Sequence, residues 1–535
     1  MEQIYFNGDI VTMEEEQDSP EAVLVRDGKI VAVGLLTELE GQIKNKNCER
    51  IDLEGRTLMP SFIDGHGHFM VTAEHTTLAD LSEAHSFVDM IMILKEFQKK
   101  YNLTHGEPIF GVGYDHNFLR EQIHPTRNVL DEVSRENPVG VWHASHHMGS
   151  ANSMLLSIMG IDENTKDPEG GKIGRYAGSR KPNGYLEEAA IHPLRLFQKA
   201  IETDYRKQID ETQQIYAKHG VTTVQDGAAN RASVEICRAM GKENKLYLDV
   251  VVYPFLNDEN YTATVDANTD CLKKYVDHVK INGMKIVLDG SPQARSAWMS
   301  KPYEGSKDYC GYPRVLPDWV TEAASICVDR NLQLLAHCNG DAASELFLDS
   351  YEEALEKSTN PDKKKLRPVM IHCQTVRNDQ LDRMAKMKMI PSIFVSHVNY
   401  WGDVHLKNFG EERGRRVSPV KSALDRKLIY NFHTDTPIVP PNIFHAVWSA
   451  VNRITKDGVL LGPEERVSAY DALKGVTINA AYEYSEEDRK GSIKKGKLAD
   501  LIIVDQNPLK VDPMKIKDIK VLKTIKEGQI IYENS

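Results

Sequence analysis

The chain has 535 residues, with 66 Lys+Arg against 78 Asp+Glu and a formal net charge of −12. Hydrophobic residues at 41% and charged residues at 27% are globular proportions, which excludes a mostly disordered chain. The acidic balance argues against nucleic acid or anionic lipid as a partner, and no run reaches the ~18 apolar residues of a membrane span.

In chain order, the N-terminus MEQIYFNGDIVTMEEEQD is acidic and lacks the basic segment that opens a signal peptide. The first sixty residues read as short strands, with turns at Asn7-Gly8 and at Asp27-Gly28, the second inside the hairpin AVLVRDGKIVAVG. Eight apolar runs follow: 57–64, 221–226, 246–254, 279–290, 332–337, 368–373, 389–396 and 427–435. Amphipathic stretches such as 319–330 and 380–388 lie between them. Eight such repeats predict an α/β fold, a (β/α)8 TIM barrel. The gap after the first run is too long for one crossover, so a large insertion is expected at about 71–215, with strands at 108–115 and 138–145. The last forty-five residues return to the β-rich texture of the start. Neither end has enough residues to bury its own core. Residues 1–57 and 490–535 are therefore expected to form one discontinuous β-sandwich domain, and 58–489 the barrel domain. Seven scattered cysteines suggest reduced thiols and a cytoplasmic location.

Barrel enzymes hold their chemistry at the C-terminal ends of the strands. The first run ends in His66-Gly67-His68, where residues i and i+2 of extended backbone face one side. The fourth run carries Lys285, the fifth ends at His337, the sixth at His372 and the eighth at Asp435. Each alone has a bland reading: a chance His-x-His, a snorkelling lysine, core histidines, a turn-starting aspartate. Their recurrence at five predicted strand ends favours a centre for a divalent metal, zinc or a similar ion, with an open position for water. Cys338 and Cys373, each following a ligand candidate, are expected to point outward into packing.

The sequence resembles the metal-dependent amidohydrolase superfamily, in its amidohydrolase-3 branch, which includes N-substituted formamide deformylases. The motifs are VRDGKIVAVG with IDLEGRTLMPSFIDGHGH, HHMGSANS (146–153), GYLEEAA (184–190), GMKIVLDGSPQARSA (283–297), HCNGDAA (337–343), TDTPI (434–438) and GSIKKGKLADLIIVD (491–505). The resemblance implies His66, His68, His337, His372 and Asp435 as metal ligands, with Lys285 bridging two ions if carboxylated; one ion is the alternative. Asp435, Lys285 and His372 form the implied catalytic set. A metal-held water ionising near pH 7 would attack a carbonyl, and Asp435 would pass its proton to the leaving amine. The expected reaction is hydrolysis of a C–N bond in a small-molecule amide, an N-substituted formamide among the candidates. A cyclic amidase, an aromatic deaminase and a non-catalytic regulatory barrel are the alternatives, and a homodimer is left open.

His147 and Asn152 fall on the branch's H-x-G-x-x-N-S element. With Tyr114, Arg295, His397 and Trp401 they are candidate substrate contacts, each weighed against a purely structural role. Arg295 and Asp289 are read as orienting substrate or tying down a loop by an ion pair. The branch commonly has Glu before its sixth-strand His, whereas this chain has Ile371. Strand alternation predicts that Ile371 points outward if His372 points inward.

Overall fold

A computed structural model describes residues 1–116, 118–144, 148–194, 204–256 and 262–534. Its contacts divide the chain into two compact units, Met1–Met70 with Ile209–Ser535, and Val71–Gln208.

In the first unit, both chain ends build two sheets. A four-stranded sheet runs in the order Lys29–Gly34, Ala22–Arg26, Glu2–Phe6, Glu49–Asp52. A five-stranded sheet runs Asp9–Ile10, Thr57–Pro60, Leu501–Val504, Val521–Lys526, Gln529–Glu533. The Asp27-Gly28 turn forms as predicted. Arg26 faces Lys29, and both turn residues take positive φ, at 48° and 76°. Tyr5, Val23 and Val25 of the first sheet share an apolar cluster with Leu58, Leu501, Ile503 and Ile525 of the second. Ala22 and Leu24, on the other face of the same strand, join Ile4 and Leu39. Burial on both faces explains the unbroken AVLV.

Two all-parallel sheets carry the rest. One runs Phe62–Ile63, Val221–Ala229, Asp249–Pro254, Val279–Ile281; the other runs Gly283–Val287, Gln333–Cys338, Val369–His372, Ile390–Ile393, Asn431–Phe432. Two predicted runs are corrected here. The 57–64 run divides at Ser61, its first half pairing with Leu501–Val504 and only Phe62–Ile63 joining the parallel sheet. The 279–290 run divides at Asn282, whose amide donates to Tyr253 Oη at 3.1 Å and Gln333 Oε1 at 2.7 Å. A polar residue with buried partners breaks the run there, and its two halves belong to different sheets. The predicted helices lie at Pro317–Asp329 and Asn378–Met387.

The second unit is a six-stranded sheet in the order Gly171–Arg175, Pro182–Glu188, Met148–Ala151, Val139–His143, Ile109–Tyr114, Ala79–Asp80. The last three strands are mutually parallel and the others antiparallel. Alternation sends Ile109, Val139 and Val141 to the cluster under the Phe87–Lys100 helix. Phe110, Val112 and Trp142 face a second cluster with Leu155 and Leu186. Among the described residues, no helix is long and apolar enough to cross a membrane.

Candidate metal centre

His66 and His68 follow the short strand Phe62–Ile63, and the neighbouring strand Val221–Ala229 fixes both rings. His66 Nδ1 lies against Gln225 Oε1, and His68 Nδ1 is 2.6 Å from the Gly227 carbonyl. Both partners are acceptors, so each ring carries its proton on Nδ1 and keeps a lone pair on Nε2. Those two Nε2 atoms face one carboxylate oxygen, Asp435 Oδ1, at 3.6 and 3.2 Å. Among the described residues, that oxygen is buried without a hydrogen-bond partner of normal geometry.

A tetrahedral ion with ~2.1 Å bonds holds its ligands ~3.4 Å apart, which is the spacing seen here. The donor set fits a divalent metal. Lys285 Nζ reaches the same place, 3.1 Å from His66 Nε2.

A second group of imidazoles lies alongside. His372 Nε2 is 2.9 Å from His337 Nδ1, and His372 Nδ1 is 3.2 Å from His433 Nε2. The His66 ring centre is 5.8 Å from that of His372 and 5.4 Å from that of His433. Sequence reasoning passed over His433. Its signal was present, because His433 and Asp435 stand two apart, as do His66 and His68. Ser392 Oγ holds its Nδ1 at 2.8 Å. Asp64 is a further unread residue, accepting from the backbone of His66 and Thr434 and from the Thr434 hydroxyl.

Burial sets the protonation states. It holds His66, His372 and His433 well below the usual imidazole range, with Lys285 next in importance for His66 and His433 and with neighbouring rings adding to the effect at His372. His337 falls to about 3 by burial and the Lys285 charge. These rings are neutral at pH 7, the form that ligates. At His68 burial is outweighed by Asp435, which raises it. Burial pushes Lys285 down to about 8 and Asp64 up to about 7.

The expectation for Ile371 is overturned. Lys285, Leu335, Val369 and Ile390 are successive partners across the second parallel sheet, and Lys285 points to His66. Val369 and Ile371 therefore share the inward side with His337, and both pack with Ile63, Val251 and Leu335. His372 pairs with Cys338 on the opposite side of the register. Its ring meets His337 because its backbone leaves the strand at φ 79°, followed by Cys373 at 50°. Asp435 also sits at positive φ, 54°. Non-glycine residues rarely adopt this region, and they concentrate at functional sites.

The remaining candidates are dispersed. Asn152 is wholly buried, and its side chain is occupied by backbone. Oδ1 accepts from Val139 and Leu155, while Nδ2 donates to the Ser134 and Asn137 carbonyls, which is the structural one of its two readings. Tyr114 is buried in the insertion's core, with its hydroxyl 3.1 Å from His124 Nδ1. His147 lies outside the described residues. Arg295 donates to Asn408 Oδ1 and the Glu304 carbonyl. Asp289 accepts from the Trp298, Asn339 and Gly340 amides. Both tie down loops through hydrogen bonds, and Asp289 Oδ1 also lies 3.6 Å from His337 Nε2. His397 is buried against Phe394, Trp401 and His405, the last at 3.0 Å between ring nitrogens. Phe394 separates it from His433, at 4.6 and 5.1 Å between ring centres.

Comparison with known proteins finds relatives over most of the chain. The amidohydrolase family (Amidohydro_3) matches residues 49–532. N-substituted formamide deformylase of Arthrobacter pascens is 29% identical, over 99% of this chain and 98% of its own. The protein LONG AFTER FAR-RED 3 of Arabidopsis thaliana is 27% identical over 94% of this chain and 86% of its own. The crystal structure of an uncharacterized metal-dependent hydrolase from Pyrococcus horikoshii superposes with a TM-score of 0.77 at 24% identity. It covers 96% of this chain and 99% of that one.

Proposed function

The chain belongs to the amidohydrolase family, and on that premise we propose that it hydrolyses the C–N bond of a small-molecule amide at a divalent-metal centre. N-substituted formamides are the first substrate class to test, since a full-length relative bears that activity in its name. The observation that carries the reading is the pair of Nδ1-locked imidazoles aimed at the orphaned oxygen of Asp435. We read the two parallel sheets as halves of one eight-unit barrel, and the terminal sheets as a sandwich.

His66, His68, His337, His372 and Asp435 would hold the metal, zinc in our reading, as one ion or two. When bound, such an ion lowers the pKa of a water to ~7 and polarises a carbonyl. Asp435 takes the proton of the attacking water and delivers it to the leaving nitrogen, which an amine needs to depart. Lys285, pushed down to about 8, carries enough neutral amine at pH 7–8 to add to CO2. The new N–C bond forms with loss of one proton, leaving a carbamate whose two oxygens would bridge two cations. His433 faces His372 and supports that ring from the far side. The partner is a small amide, and seven unpaired cysteines suit the reducing cytoplasm.

The test is a panel of N-substituted formamides, other acyclic amides, cyclic amides and aminopurines, with zinc- or manganese-loaded protein. Release of an amine and a carboxylate from an acyclic amide is expected. Ammonia release from an aminopurine alone, or no turnover of any amide by protein holding stoichiometric metal, would overturn the proposal.

A further inference from the structure

The unit Val71–Gln208 carries its own group of side chains of metal-ligand type, Asp115, His116 and His143. The strands Ile109–Tyr114 and Val139–His143 are parallel neighbours. The register shifts between Trp142 and His143, and Gly113 takes a φ of 94° beside it. That irregularity sets His143 opposite Tyr114, so Asp115 and His116, just past the strand end, meet it. Bulges of this kind re-aim side chains, and the C-terminal ends of parallel strands are where α/β sheets bind ligands.

Three ligand atoms, one carboxylate oxygen and two imidazole nitrogens, converge. His116 Nδ1 is 3.3 Å from His143 Nε2, and Asp115 Oδ1 is 3.6 and 3.4 Å from those same nitrogens. A charge-assisted carboxylate–imidazole hydrogen bond is shorter, at ~2.7–2.9 Å. Edges of 3.3–3.6 Å instead match the ~3.4 Å between ligands of a tetrahedral ion with ~2.1 Å bonds. They also match the spacing at the barrel centre, where His66 and His68 stand 3.6 and 3.2 Å from Asp435.

The surroundings resemble an outer shell. His124 lies on the His116 ring at 4.0 Å between centres and on Tyr185 at 4.5 Å, with Nδ1 3.1 Å from Tyr114 Oη. Tyr114 packs edge-on to His143 at 5.3 Å. These contacts restrict both ligand rings, as outer-shell partners of metal ligands do. His143 is 7% exposed, whereas Asp115 and His116 are 26% and 27% exposed, so two of the three side chains are within reach of solvent.

We propose that Asp115, His116 and His143 form a second metal site, in the insertion, binding a zinc-class divalent ion through one oxygen and two nitrogens. The mixed N2O donor set and tetrahedral spacing select zinc or cobalt(II) over magnesium and calcium, which take oxygen ligands in larger number.

The test uses full-length protein stripped by a chelator, reloaded with cobalt(II) or zinc, desalted and analysed for metal per chain. His143→Gln, His116→Gln and Asp115→Asn are compared with wild type and with a His66→Ala/His68→Ala variant. Each insertion variant should lose one equivalent relative to wild type. The barrel variant should retain one equivalent of cobalt(II), with the visible absorption of tetrahedral coordination. Adding His143→Gln to that variant should abolish the band. Folding is checked by circular dichroism, and the partly exposed Asp115 and His116 give readouts if the buried His143 variant fails to fold. Unchanged metal content in folded Asp115→Asn and His116→Gln, or no cobalt(II) band in the folded barrel variant, would overturn the proposal.

Discussion

Gln225 gives the sharpest test of how the proposed metal centre is built. Its Oε1 is the acceptor that keeps the His66 proton on Nδ1, while its Nε2 donates to the Gly65 carbonyl at 2.9 Å and lies 3.0 Å from Tyr484 Oη. In Gln225→Leu the Nδ1–H loses its acceptor inside a fully buried site. An unsatisfied buried donor costs about 1–3 kcal/mol. The ring can escape that cost by moving its proton to Nε2, which removes the lone pair facing Asp435. Metal binding must then draw the proton back to the partnerless Nδ1, so that cost falls on affinity, and ~1.4 kcal/mol is tenfold. Loss of an outer-shell partner typically weakens a site about 10–100-fold. Zinc affinity measured by competition with a chromophoric chelator should therefore fall by that factor. Gln225→Glu keeps an acceptor oxygen, and Glu483, pushed up to about 8 by burial, is protonated beside it at pH 7. That variant should bind within a few-fold of wild type. A folded Gln225→Leu protein that binds zinc within twofold of wild type would refute the tautomer argument. Equal losses in both variants would attribute the effect to packing instead.

Three further expectations follow from particular contacts. A methyl group at Gly227 would stand 2.4 Å from His66 Cε1 and 2.8 Å from its Nδ1, so Gly227→Ala should weaken zinc at least about tenfold with the fold intact; chelator competition with melting curves decides, and wild-type affinity would show that the backbone yields. Asn152→Ala removes four hydrogen bonds, one of them the N-cap of the helix Ser153–Ile158, which should cost about 2–4 kcal/mol in urea unfolding and leave kcat/KM of the folded fraction unchanged. A raised KM without lost stability would instead give Asn152 a substrate contact. At Asp249, burial alone would raise the pKa, but Lys490 and Lys526, both 2.6 Å from Oδ2, outweigh it and hold the group well below the ordinary range. A depressed folded pKa gives stability that is present above the unfolded value of ~3.9 and lost as pH falls through the folded one. Asp249→Asn should thus lower Tm at pH 7, because taking the carboxylate from two buried lysines costs about 3–5 kcal/mol, and the gap should narrow below pH ~4; a gap independent of pH down to ~2 would refute the assignment.

Much of this was readable from residue order. The apolar runs located the parallel strands, Asp27-Gly28 its hairpin, and the i, i+2 spacing of His66 and His68 their common side. Lys285 stood out as a lysine inside an apolar run, and it does reach His66. Other features had no local signature. The 279–290 run looked continuous, and its division at Asn282 depends on Tyr253 and Gln333, distant in sequence. Alternation brought His372 inward and sent Ile371 outward. The strand register puts Ile371 inward, and a left-handed backbone at His372 brings its ring to His337. His433 is legible by the same i, i+2 spacing, to Asp435, that marks His66 and His68. The site at Asp115, His116 and His143 needed two strands set side by side with a shifted register.

By itself, then, the sequence determined the donor types, their order and the strands that carry them. These follow from periodicity, which is a property of adjacent residues. Tertiary structure decided which nitrogen of His66 and His68 faces Asp435, because Gln225 and Gly227 come from another strand. It also made Asn152 a backbone tie and His397 part of a ring stack. Hydrogen-bond partners, burial and a single backbone angle set these outcomes. They arise only when segments remote in the chain are packed together.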